Sequence, residues 1–278
     1  MLASLHDVLP SAQRGGYAVG LFNSTDTDML QAVIGAAENL RAPLILGTAE
    51  ILLPYGELRL IAPSVIAAAQ RASVPVVVHY DHGLTFERCM EALQLGFTSV
   101  MYDGSAKPYD QNIAETREMV RIAHAFGASV EGEIGHVGSA ENPEEAAEAT
   151  YTTVEEAVHF ARATGVDALA IAIGTAHGVY KAKPKLALER LRDIRSAVDA
   201  PLVLHGGSGL SDEDFRSAIA GGIAKINIFT DLCVAGMAAM GQAQAKGLDY
   251  LAARNKKVAA IQDAVERKMR LFGCAGKA

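Results

Sequence analysis

Three histidines stand just past the ends of three separate apolar runs: His82 in VVVHYDHG, His177 in LAIAIGTAHG and His205 in PLVLHGG. Imidazole is the commonest neutral ligand of zinc, and a strand end is a rigid mount for it. Mounts that converge on one mouth would leave a fourth metal position open for substrate, the pattern of a catalytic site. An all-imidazole set also leaves the metal's charge unneutralised, which makes a strong Lewis acid toward a carbonyl or enediolate oxygen. The alternative for any one of these histidines taken alone is a hydrogen-bonded core residue; it is the set that points to metal. The remaining five, His6, His79, His124, His136 and His159, fall on helices, loops or mid-strand and read as structural or surface residues.

Other groups gather around this set. Asp81 immediately precedes His82, and neighbours on an extended strand face opposite ways. A turn of the chain at the strand end would let both face the cavity. The carboxylate there suits proton transfer to a substrate hydroxyl, or the orientation of an imidazole. Glu131 and Glu133 alternate around Gly132 and so face one side. Two carboxylates inside a barrel need a cationic neighbour, of which a metal is the simplest, and Asp103 on the adjoining strand could share it. The run from His205 through Gly206, Gly207, Ser208 and Gly209 opens onto a helix near Ser211, where successive N–H groups make a nest for phosphate. Asn227 and Thr230 would complete that nest. Asn23 and Thr48 end the first two strands and are candidate substrate contacts. Lys225, two residues before Asn227, reads either as an ion-paired lysine at the far end of the barrel or as a Schiff-base lysine, the metal-free route to similar chemistry.

The elements that must position these groups alternate along the chain. Apolar runs predict strands at Ala18–Asn23, Pro43–Thr48, Pro75–Asp81, Ser99–Asp103, Ser129–Ile134, Ala168–Ile173, Pro201–His205 and Lys225–Thr230. Amphipathic stretches between them predict helices at Thr27–Leu40, Ser64–Ala72, Phe86–Leu95, Gln111–Phe126, Thr153–Thr164, Ala187–Val198 and Asp212–Ala220. Eight strands in this rhythm, apolar on both faces, predict a parallel sheet closed into a (β/α)8 TIM barrel. A doubly wound open sheet is the rival, but no GxGxxG follows the first strand. Helical patterns at Ala3–Arg14 and Val258–Phe272 frame a single domain over residues 1–278. The longest polar interruption, Gly135–Thr152, follows the fifth strand, on the side where barrels carry their active sites.

Bulk properties narrow the class. The chain has 278 residues, half of them hydrophobic, and a net charge of −7. Its basic clusters are short, as at Arg254, Lys256 and Lys257, so neither nucleic acid nor an acidic membrane surface is an expected partner. Three cysteines without a CxxC fit a reducing cytoplasm. Neither a signal peptide nor an apolar stretch of transmembrane length is read.

The blocks VVVHYDHG, SVMYDGS, VEGEIGHVG, ALAIAIGTAHGVYK, PLVLHGGSGL, IAKINIFTD and LFGCAGKA, in this order, resemble the class II, metal-dependent fructose-bisphosphate and tagatose-bisphosphate aldolases over nearly the whole chain. The resemblance implies a cytoplasmic carbohydrate-metabolism lyase, as in glycolysis. It implies zinc on His82, His177 and His205, with Asp103 and Glu133 at a second position for a divalent or monovalent cation. It implies Asp81 as the proton donor and acceptor at the C4 hydroxyl of the sugar. Gly178, Gly206, Gly207, Ser208, Asn227 and Thr230 would hold dihydroxyacetone phosphate, and Glu141 matches a loop acid that moves the enolising proton. The implied substrate is a ketose 1,6-bisphosphate, and the implied assembly is a homodimer or homotetramer. Two departures stand out. Phe229 occupies a position that is Asp or a small residue in the family. The family's arginine for the far phosphate has no match in register, the local sequence being Leu248-Asp249-Tyr250-Leu251. Either Arg254 substitutes, or the aldehyde product carries no phosphate and the substrate is a ketose 1-phosphate. A non-catalytic subunit of a sugar-phosphate aldolase complex is the remaining alternative.

Overall fold

The computed structural model describes residues 1–135, 137, 151–178, 180 and 184–278. After a two-residue strand, β1 (Leu2–Ala3), and helix α1 (Leu5–Gly15), eight strands follow: β2 (Val19–Asn23), β3 (Leu44–Ala49), β4 (Val76–Gly83), β5 (Ser99–Tyr102), β6 (Ser129–Ile134), β7 (Ala168–Ile171), β8 (Leu202–Leu204) and β9 (Ile223–Ile228). From β3 onward each pairs in parallel with its predecessor, and β9 returns to β2 with Val19 opposite Lys225. The ring is therefore closed, as a (β/α)8 barrel requires. The strands are buried on both faces, which is why they read as unbroken apolar runs. β1 caps a gap: β4 begins at Val76, while β5 joins it only at His79, and Leu2 and Ala3 pair with the edge that β5 leaves open at Val76 and Val77.

Around the ring lie α2 (Thr27–Leu40), α3 (Leu58–Arg71), α4 (Phe86–Gln94), α5 (Tyr109–Ala125), α6 (Val154–Thr164), α7 (Leu188–Ala197), α8 (Asp212–Ala220), α9 (Thr230–Ala245) and α10 (Tyr250–Phe272). Sequence periodicity finds most of these and misses α9. Its residues, TDLCVAGMAAMGQAQA, put small and apolar side chains on every face, so it has no stripe to detect. Thr230, expected at the end of the last strand, is instead the first residue of this helix. The predicted starts at Ser64 and Val258 are late: α3 runs through Pro63, and α10 starts at Tyr250 behind the Asp249 cap, whose carboxylate accepts the N–H of Ala252. The Glu-Gly-Glu alternation of β6 is explained by packing. Gly132 faces the helix layer, where a Cβ would come within 2.9 Å of Phe160, and its two neighbours therefore point into the barrel.

Candidate metal centre and substrate cleft

β4 does not run straight to its end. Its register against β5 shifts between Tyr80 and Gly83, and His82 has φ 48°, one of two non-glycine residues with positive φ among the described residues. A left-handed histidine is strained, and the surrounding structure must hold it there. The kink solves the problem posed by adjacent functional residues: both Asp81 and His82 line the same cleft at the carboxyl ends of the strands. Gly83 follows because a Cβ there would collide with the Cys89 sulfur.

The three predicted histidines converge. Ring centroids lie 4.5 Å apart for His82 and His205, 5.0 Å for His82 and His177, and 5.8 Å for His177 and His205. One nitrogen from each lies within 4.8 Å of the others. The outward nitrogens of two rings are already engaged. His82 Nδ1 is 2.7 Å from Asp103 Oδ2, and His205 Nε2 is 2.8 Å from Glu131 Oε1. That leaves His82 Nε2 and His205 Nδ1 facing each other at 2.8 Å. Two imidazoles whose far nitrogens donate to carboxylates present lone pairs inward, the arrangement that orients histidines on zinc. Asp103 is thus a partner of His82; it also accepts from Ser105 N–H and Oγ–H at 3.1 and 2.7 Å. Glu133 and Asp103 still sit close enough to His82 to form a second cation group, and the buried Glu133 Oε2 has no hydrogen-bond partner among the described residues. The donor set and this orphaned oxygen both suit a cation.

Electrostatics says the same. Burial disfavours a charged His82, but Asp81 and the Asp103 hydrogen bond outweigh it and push the ring up to about 10 in the absence of metal. Burial, with His82 and His205 beside it, pushes His177 down to about 3. Burial and the nearby Asp103 push Glu133 up to about 8. Without metal, His82 and Glu133 both hold protons in this cluster, and a divalent cation would take their place.

Asp81 is aimed by two amides. Asn23 Nδ2 donates to its Oδ2 at 2.8 Å and Asn227 Nδ2 to its Oδ1 at 3.0 Å. Burial opposes its ionisation, but His82, Lys225 and His205 hold the carboxyl well below the usual range. Lys225 is neither at the far end of the barrel nor free for a Schiff base. It is fully buried, ion-paired with Glu131 Oε2 at 2.8 Å, and donates to Asn227 Oδ1 at 2.8 Å. The cation that makes Glu131 tolerable is therefore this lysine, with a hydrogen bond from the His205 ring beside it, in place of the metal that the sequence suggested for both glutamates. Lys225 also holds Asn227, which holds Asp81. Glu131 and Lys225 are positioning residues missing from the sequence-derived site; the alternation of Glu131 with Glu133 was the available signal.

The glycine turn is built as expected. Gly206 has φ 64°, and a Cβ on it would run into the Ala176 carbonyl. The Ser208 hydroxyl accepts the N–H of Phe229 at 3.2 Å, tying the turn to the start of α9. Gly178, Gly206, Gly207, Ser208, Asn227 and Thr230 all line the cleft, with the N-terminus of α9 at one side. A third residue not foreseen, Tyr180, bridges two segments: its hydroxyl accepts from Ala176 N–H and donates to the Gly206 carbonyl, both at 2.8 Å. Thr48 does not line the cleft. Alternation turns it toward the helices, and Ala49 takes its place. Glu141, like His136, lies outside the described residues.

The cleft encloses about 430 Å3. Opposite the glycine turn its wall is apolar, formed by Ile51, Leu52 and Leu84, and no Lys or Arg lines it among the described residues. Arg254 is committed elsewhere, donating to Asp28 Oδ1 and Gln31 Oε1 at 2.7 Å each. Lys257 likewise pairs with Asp26 and Asp28, so two of the three cations of the basic cluster are engaged at the start of α2.

Among known families, the one described as fructose-bisphosphate aldolase class-II matches residues 3–277. A solved structure of the YdjI aldolase from Escherichia coli K12 superposes with a TM-score of 0.91 at 37% identity, covering 100% of both chains. A 6-phospho-5-dehydro-2-deoxy-D-gluconate aldolase from Shouchella clausii is 40% identical over 98% of this chain and 94% of its own. A fructose-bisphosphate aldolase from Geobacillus stearothermophilus is 39% identical over 100% of this chain and 99% of its own.

Proposed function

Because the chain belongs to the class II fructose-bisphosphate aldolase family and is a carbon–carbon lyase, we propose that it cleaves a ketose 1-phosphate to dihydroxyacetone phosphate and an aldehyde that carries no phosphate, with zinc on His82, His177 and His205. The observation that carries the reading is the convergence of three inward-facing imidazole nitrogens beside Asp81. The preference for one phosphate over the ketose 1,6-bisphosphate rests on the apolar wall of the cleft and on Arg254 being held by Asp28 and Gln31. Relatives are named for both kinds of substrate: a bisphosphate and an acid with a single phosphate.

In this reading the glycine turn and the start of α9 take the phosphate through backbone N–H groups. Asp81 accepts the proton of the C4 hydroxyl, C4 becomes the aldehyde carbonyl, and the C3–C4 bond breaks. The electron pair of that bond passes through C3 to the ketone oxygen. A bound zinc supplies the Lewis acid that stabilises charge there. Asn23 and Asn227 keep Asp81 on the hydroxyl, and the Lys225–Glu131 pair keeps both Asn227 and His205 in place. Glu141 is the proposed source of the proton that completes dihydroxyacetone phosphate. A cytoplasmic location is part of this proposal. No described helix is long and apolar enough to cross a membrane. The exposed apolar side chains of Val234, Met237, Tyr250 and Leu251 on α9 and α10 support a homodimer or homotetramer, which light scattering would detect.

The test is a cleavage screen on zinc-loaded protein over C4 epimers, with and without a terminal phosphate. We expect kcat/KM at least ~10-fold higher for the monophosphates. A preferred bisphosphate would restore the other substrate, and full activity after exhaustive chelation would remove zinc from the mechanism.

A further inference from the structure

At the opposite end of the barrel, where strands begin and helices end, lies another histidine–carboxylate cluster. His6 is on α1, His124 in the last turn of α5, and Asp167 immediately before β7. His6 Nε2 is 2.7 Å from Asp167 Oδ1, and His124 Nε2 is 2.9 Å from Asp167 Oδ2. The Asp167 side chain is only 4% exposed, against 63% for His6 and 44% for His124. Its Oδ2 also accepts the backbone N–H of Val130 at 2.6 Å. A buried carboxylate is thus fixed by the sheet, with two accessible imidazoles brought to it by separate helices.

We propose that His6, His124 and Asp167 form a second transition-metal site, distinct from the one in the cleft, that takes Zn2+, Co2+ or Ni2+. Two nitrogens and a carboxylate oxygen are a donor set for borderline divalent metals and a poor one for Mg2+ or Ca2+. One ligand atom from each residue already lies within 4.8 Å of the other two. Ligands about 2.05 Å from a zinc ion are about 3.3 Å apart in a tetrahedron, so an ion here requires the contacts to the two Asp167 oxygens to open by about half an ångström and the ring nitrogens, now within 4.8 Å, to settle at that spacing. The two rings are tilted by 49° with centroids 6.3 Å apart, close enough to converge on one ion. Water has access: His6 and Asp167 border a cavity of about 360 Å3 that also carries Arg162 and Asp199. Val130 N–H supplies the backing hydrogen bond that a metal-bound carboxylate needs. An ion here ties α1 to α5 and to the edge of β7, so it braces the barrel and takes no part in the chemistry of the cleft.

The experiment is anomalous diffraction from crystals of the full chain equilibrated with Co2+, paired with equilibrium dialysis of wild type, His6→Ala, Asp167→Asn and His159→Ala. His159→Ala removes an exposed histidine of α6 and is the control. The expected result is an anomalous peak between the three side chains and one metal equivalent per chain fewer in His6→Ala and Asp167→Asn. His159→Ala keeps the wild-type stoichiometry, and His6→Ala keeps its aldolase turnover. Asp167 also holds the backbone at Val130, so His6→Ala decides the matter if Asp167→Asn fails to fold. Absence of the peak, unchanged stoichiometry in His6→Ala, or binding only above about 1 mM metal overturns the proposal.

Discussion

The two ends of the barrel carry the same side-chain chemistry on different foundations. At the mouth, His82 and His205 each have a carboxylate behind them, and those carboxylates are held in turn by Ser105 and Lys225. At the floor, a single buried carboxylate faces two half-exposed histidines carried on helices. The depth of the supporting shell separates them. Ligands locked by second partners are preorganised for a reactive ion, while ligands that keep solvent access suit one that braces.

The sharpest way to break this contrast is to remove a mouth ligand. His82→Ala should lower kcat by at least ~10^3, with loss of the cleft metal seen in metal content per chain. Retained turnover would make the cleft no better than the floor. Asp81→Asn comes next: kcat should fall by ~10^2 to 10^4 while metal content stays at the wild-type level, because the asparagine keeps the shape and loses the proton acceptor. Lys225→Met tests the depth of the shell. It leaves Glu131 buried without its cation, and denaturant unfolding should show a loss of ~3 kcal/mol or more, with metal affinity down by ~10- to 100-fold. The double variant with Glu131→Leu should recover the stability and leave the affinity low. The smallest effect concerns pH. Glu133 holds its proton up to about 8 in the metal-free fold, far above the ordinary glutamate value. Its folded pKa is raised, so the metal-free protein should be most stable below pH ~4.5 on this account and lose stability as pH rises toward 8. Glu133→Gln should flatten that slope in thermal melts, and an unchanged slope would assign the dependence to another group.

Much of this molecule is visible along its sequence for a physical reason. Strands covered on both faces must be apolar throughout, so VVVHYDHG and PLVLHGG mark both the ring and the places where polar groups interrupt it. The kink at His82 is not visible, because a positive φ in a histidine arises from the register shift against β5 and not from local preference. The pairing of Lys225 with Glu131 crosses the barrel interior and needs the closed ring to exist. Helix α9 escapes because alanine, glycine and methionine on all faces leave no periodicity. Thr48 misleads by a single residue, since alternation makes strand ends unforgiving of a shift of one.

His82, His177 and His205 come from β4, from the segment after β7, and from the end of β8, so no contiguous stretch of chain can assemble the three-nitrogen set. Only a sealed circumference brings them within reach of one another. A cobalt ion seated among them would consequently act as an optical gauge of ring integrity: its visible bands should fade in step with rupture of the strand circle, and helices melting at the periphery should leave the colour untouched.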